Sequence, residues 1–195
     1  MRYGTAGRGE GMTLRADVAE LLAVAGILDV DVDAAVADEH VRSAGYQRVV
    51  SVTAASRSRD RDRAIVATIL RDPIDIVSKT AVVALVDRIA MKATGPAEFR
   101  QWSAGLLPEI GQLKTEGHRE FIRRRIHDWL LWLSIVDGHV PTADELAKAT
   151  SWMQRALAER ATSPTVLILL ADSGTSKKIR NIAKNRAGSR KLRPQ

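Results

Sequence analysis

The chain has 195 residues, 45% of them apolar and 4% aromatic, with a formal net charge of +7 and no cysteine. The lack of cysteine excludes disulfides and thiolate chemistry, and no apolar run approaches the roughly 18 residues that a membrane-spanning helix needs. All the excess charge lies in the last 23 residues. There Lys177, Lys178, Arg180, Lys184, Arg186, Arg190, Lys191 and Arg193 meet no acid after Asp172, while the 172 residues before them hold 22 basic and 23 acidic side chains. A localised basic block predicts an anionic partner and says where it would touch. With no cleavable signal pattern at its start, the expectation is a soluble, cytoplasmic protein without a membrane partner.

Residues 1–12 have spaced glycines and no periodicity, and are expected to form a disordered extension. The purine-rich codons implied by Arg8–Gly11 suggest a ribosome-binding site, so Met12 is an alternative start to Met1. From Thr13 the pattern is helical, with Leu14, Val18, Leu21, Leu22 and Ala25 at three- and four-residue spacing up to Gly26. Asp31 or Asp33 opens a second helix to about Ser43, stopped by Gly45. Tyr46–Ala55 is β-branched but has no strand to pair with, which predicts a helix. Residues 56–63, SRSRDRDR, read as a solvated loop with nearly cancelling charges.

Arg63–Leu70 is a short apolar helix. Pro73 then suits the first turn of a helix over Ile74–Lys92, apolar nearly all round and therefore central. Gly95-Pro96 breaks it, and Ala97–Leu107 follows, closed by Pro108. His118–Val136 carries an Ile122, Ile126, Trp129, Leu130, Leu133, Val136 stripe that ends at Asp137-Gly138. Thr142 and Glu145 form a capping box for a helix to about Arg160. Ser163-Pro164 starts an apolar helix ending near Gly174, and Thr175–Arg186 forms a last, basic helix. The fold class is all-α, an irregular array of eight or nine helices. It divides into a helical domain over 13–172 and a basic helix and tail over 173–195.

Asp72-Pro73 followed by Val77, Ala81, Ala84, Leu85 and Ile89 resembles a HEAT repeat, with Ile65–Leu70 as the second helix of the preceding repeat. Ile179-Arg180 and Ala183, after Leu169-Leu170-Ala171-Asp172, resemble a second such start without the corner proline. The resemblance covers about 50 residues, with no regular period between its two parts. It implies a stacked helical array that binds proteins or nucleic acid by a concave face, not a catalyst.

No chemistry-bearing motif stands out. His40, His118, His127 and His139 lack the i, i+4 pairing of a helical metal site, so no metal or cofactor is expected. No serine sits in a nucleophile elbow. HEAT-like arrays include DNA glycosylases, which need aromatic walls and a carboxylate. Trp129, Trp132, Asp128 and Asp137 would be the candidates, but Trp129 lies on the apolar stripe and Asp137 is five residues after Trp132. Arg123, Arg124 and Arg125 fan over about 200° of a helix and offer auxiliary phosphate contacts at most. Residues 169–186 also resemble a helix-turn-helix, but Ile179 and Ile182 fall one position early and the preceding helix is wholly apolar. The reading taken forward is a non-catalytic helical scaffold. It grips nucleic acid, DNA or RNA, by phosphate contacts from Lys177, Lys178, Arg180, Lys184, Arg186, Arg190, Lys191 and Arg193. The alternative is a HEAT-like protein-interaction adaptor whose basic end meets an acidic protein surface.

Overall fold

The computed structural model describes the backbone of residues 6–189 and the side chains of residues 13–189, and among these there are twelve helices and no strand. They are α1 (Ala6–Val24), α2 (Val32–Ala37), α3 (Glu39–Ala55), α4 (Asp62–Ile69), α5 (Asp75–Ala90), α6 (Pro96–Ala104), α7 (Leu107–Ile110), α8 (Glu116–Val136), α9 (Ala143–Lys148), α10 (Ser151–Arg160), α11 (Pro164–Ser173) and α12 (Lys177–Ala187). Side-chain caps start half of the helices: α2, α3, α9, α10, α11 and α12 in chain order. Nine of the twelve span seven residues or more, which is the expected all-α array. None is long and apolar enough to cross a membrane.

Several boundaries differ from the sequence reading, each for a local reason. α1 starts at Ala6 rather than at Thr13, because extending a formed helix by one residue costs far less than nucleating one; residues 1–5 lie outside the described residues. The break between α2 and α3 falls at Asp38, not Gly45. The Asp38 carboxylate accepts from the His40 N–H at 2.7 Å and starts α3 there, and α3 then runs through Gly45 and the β-branched Val49–Val52 to Ala55. Pro73 precedes the N-cap Ile74 and so stands before α5. Pro108 opens the short α7 instead of closing α6, as suits a residue with no N–H to satisfy. The capping box at Thr142 forms as expected, but its helix ends at Lys148 and α10 starts afresh after Thr150.

The chain divides into two compact units, Met1–Lys92 with Gln101–Arg123 and Ala93–Arg100 with Arg124–Gln195, so α6 and α8 each supply residues to both. The first unit buries α5 as its apolarity predicts: Ala81, Val82, Leu85 and Val86 are all at 1% exposure or less. Its polar centre is the Asp72 corner. Asp72 accepts from Arg42 Nε at 2.6 Å, from the Tyr46 hydroxyl at 3.1 Å and from the Ile74 N–H at 2.8 Å. Arg42 also donates to the Ala35 carbonyl at 2.9 Å. One carboxylate thus joins the end of α2, the middle of α3 and the start of α5. Burial, reinforced by the Asp72 charge, pushes the Tyr46 hydroxyl far above its ordinary pKa, so it stays a donor.

The mixed-charge run is also tied down more than expected. Arg59 reaches back to the Thr53 carbonyl at 3.2 Å and forward to Asp62 at 3.0 Å. Asp62 accepts from the Trp102 indole as well, at 2.9 Å. Burial raises the Asp62 pKa despite those two partners. The Arg42–Asp72 pair is the more buried of the two networks, with both side chains at 3% exposure or less. Asp72→Ala leaves the Arg42 guanidinium buried without a counter-charge and is expected to destabilise the protein by about 3–5 kcal/mol. Urea denaturation followed by helical circular dichroism measures this directly.

Candidate nucleic-acid interface

The basic segment is anchored in the second unit, where α10, α11 and α12 pack on one another. The start of α10 is set at a distance in sequence. Asp128, buried in α8, accepts from the Thr150 N–H at 3.1 Å and from the Thr150 hydroxyl. The Thr150 hydroxyl in turn accepts from the Met153 N–H at 3.3 Å as the α10 cap. Burial raises the Asp128 pKa, opposed by the Thr150 bonds. This contact divides the single helix expected over 142–160 into two.

Gln154, at 1% exposure, joins three elements. Its amide nitrogen donates to the carbonyls of Leu146 and Ala149 at 2.8 and 3.2 Å, satisfying the end of α9. Its oxygen accepts from the Thr175 N–H at 2.9 Å, in the turn before α12. A buried amide satisfied at both ends holds that turn in one place.

α11 begins at the Ser163 cap with Pro164 in its first turn, and buries Val166, Leu167 and Leu170. It is not wholly enclosed, since Ile168 is 54% exposed. It ends at Gly174, where φ is −56°, so glycine is not required there for its backbone angles. It is required for space. A Cβ on Gly174 would lie 2.6 Å from the Leu170 carbonyl oxygen and 2.9 Å from the Ile179 side chain. Thr175 and Ser176 complete the turn, and the Ser176 hydroxyl accepts from the Ile179 N–H at 3.2 Å to start α12.

α12 is amphipathic. Ile179 and Ala183 are buried, and Ile182 is half-buried. Arg180 donates to the Gly174 carbonyl at 2.7 Å and Arg186 to the Ala158 carbonyl at 3.1 Å. These two guanidiniums fasten α12 to the C-terminal ends of α11 and α10, where carbonyls lack helical partners. Both side chains are half-buried. The exposed residues of α12 are Lys177, Lys178, Asn181, Lys184 and Asn185. None of the three lysines makes an ion pair among the described residues. Glu159 feels one of them: its pKa is held low chiefly by its bond to Arg155, with Arg160 and Lys178 adding to the effect.

The auxiliary arginines divide. Arg123 lies in the first unit, 3.5 Å from Glu116. Arg124 is exposed. Arg125 stacks 3.4 Å above the Trp152 ring, which meets Trp129 edge-on at 5.7 Å. Trp152 follows Ser151, whose hydroxyl is 3.3 Å from that of Thr175 in the turn before α12. Arg190, Lys191 and Arg193 lie outside the described residues. Asn181 and Asn185, which a search for charge passes over, share the exposed face of α12 with the lysines. The 177, 181, 184, 185 spacing was the signal that could have found them.

Of the glycosylase candidates, Trp129 and Trp132 meet edge-on, with ring centroids 6.2 Å apart. Asp128 is engaged by Thr150, and Trp129 is buried. Trp132 lines a cleft of about 250 Å³ with Leu157 and Arg160. Asp137 lines a different one of about 490 Å³ with Arg100, His127 and His139. Among the described residues no group of three or more His, Asp or Glu is placed to hold a metal ion. No protein-family model matches the chain, and no curated protein or solved structure is similar to it.

Gly174→Ala forces α12 off α11 and is expected to cost about 1–3 kcal/mol, the usual range for overpacking. Thermal denaturation of the substituted chain against the original measures the loss.

Proposed function

We propose that the protein is a non-catalytic helical scaffold that binds nucleic acid through the exposed face of α12, helped by the basic residues that follow it. The observation that carries this reading is the exposed face itself. It bears Lys177, Lys178 and Lys184, no acidic residue and no apolar one. Glu159 of α10 lies close enough to feel the Lys178 charge, but its carboxylate is bonded to Arg155. Each phosphate neutralised releases condensed counterions, which gives affinity without sequence preference and with a steep dependence on salt. Arg125, kept extended over Trp152, adds a cation whose side-chain freedom is already reduced.

Substitution tests this better than truncation, because α12 buries Ile179 and Ala183, and removing it would open the second unit. Lys177→Gln, Lys178→Gln and Lys184→Gln together leave the packed face of α12 intact. A retardation series on a random duplex from about 50 to 200 mM salt is expected to show steep weakening for the original chain. The triple variant is expected to flatten the slope of log K against log salt by about 2–3, near 0.9 per lysine lost. Equal slopes for the two proteins, or binding indifferent to salt, would remove the phosphate reading and favour the adaptor with an acidic protein partner.

A further inference from the structure

We infer that α12 reads sequence in the major groove of duplex DNA, its lysines gripping the two phosphate walls while Asn181 and Asn185 hydrogen-bond to adenine edges between them. This inference rests on the nucleic-acid reading above and narrows it to one form of nucleic acid with a base preference.

The order of residues around the helix leads to it. At 3.6 residues per turn, the exposed side chains follow one another as Lys184, Lys177, Asn181, Asn185, Lys178 across an arc of about 120°. The long cationic side chains therefore stand at the two edges and the short amides in the middle. A helix about 10–12 Å across entering a major groove about 12 Å wide has its edges at the phosphates and its centre over the base pairs. An asparagine amide offers a donor and an acceptor together, the match for adenine N6 and N7. Asn181 and Asn185 are one turn apart, about 6 Å along the axis, close to two base-pair steps.

The supporting helices present that face. α11, a three-residue turn and α12 form a helix-turn-helix, with α10 packed behind both. The early aliphatic spacing that argued against such a unit is accommodated by Ile179 and Ala183, which bury as an i, i+4 pair. Gly174 brings the two helices close, and Gln154 fixes the turn between them.

Other nucleic acids fit less well. A single-strand binder needs aromatic faces on which bases stack, and α12 has no aromatic residue. The major groove of A-form RNA is too deep and narrow for a helix to enter.

The test uses the full-length chain to select from a duplex pool with roughly 20 randomised base pairs at about 150 mM salt. The enriched duplex, a random duplex and a double-stranded RNA are then titrated with the original chain, Asn181→Ala and Asn185→Ala. Both asparagines are exposed, so neither substitution disturbs packing. The expected result is an enriched motif with adenines at fixed positions. Each variant should lose about 5- to 100-fold of the preference for its adenine while keeping its affinity for the random duplex. RNA duplex should bind more weakly than DNA. Failure to enrich any motif, a base preference unchanged in both variants, or RNA bound as tightly as DNA would overturn groove reading, and salt-dependent retention of the random duplex would then leave the phosphate reading standing. No salt-dependent binding to any duplex would overturn both.

Discussion

The second unit depends on how closely α12 approaches α11. Gly174 has an ordinary backbone angle, so its lack of a side chain serves distance alone. With hydrogen where a Cβ would be, the Leu170 carbonyl and the Ile179 side chain close on the turn from both sides. That approach lets an eleven-residue helix of low hydropathy, anchored chiefly by Ile179 and Ala183, hold a fixed orientation. A helix of this length and composition would not persist in water without such a seat.

The cations of α12 have two different tasks. Arg180 and Arg186 turn back to the carbonyls at the ends of α11 and α10. Lys177, Lys178 and Lys184 face solvent. The division follows from side-chain chemistry. A guanidinium is planar, weakly hydrated and rich in donors, so it suits a partly buried carbonyl, whereas an ammonium keeps its hydration and stays outside. The net positive charge of the segment is unchanged by the arginine bonds, since carbonyls do not neutralise it. The electrostatic attraction to an anionic partner is therefore retained while the geometry becomes defined.

The two units use buried polar groups in the same way, at different positions. In the first, Asp72 gathers Arg42, Tyr46 and the start of α5. In the second, Asp128 and Gln154 set the start of α10 and the turn before α12. Each group is fully engaged, and each acts between segments distant in the chain. A network of this kind specifies one arrangement of helices where apolar packing alone would accept several. The Asp72-Pro73 corner therefore owes its geometry to a buried ion pair as well as to its proline.

The helices themselves were legible in the sequence. The Thr142–Glu145 capping box, Ser163-Pro164 and Gly26 mark ends by local chemistry, and local chemistry is what a linear reading contains. So was the location of the basic segment, because charge is additive along a chain. Among the boundaries it missed, those at Asp38, Pro108 and Thr150 are places where one side chain outweighs a pattern, and Thr150 needed a partner 22 residues away. The functions of individual cations were not legible either. Arg180 and Lys184 carry the same charge along the sequence, and the packing of α12 sets the first beside a carbonyl and leaves the second in water. By itself the sequence determined an all-α chain with a basic end. Tertiary structure decided which side of that end faces outward, because a helix acquires an inside only when other helices cover it.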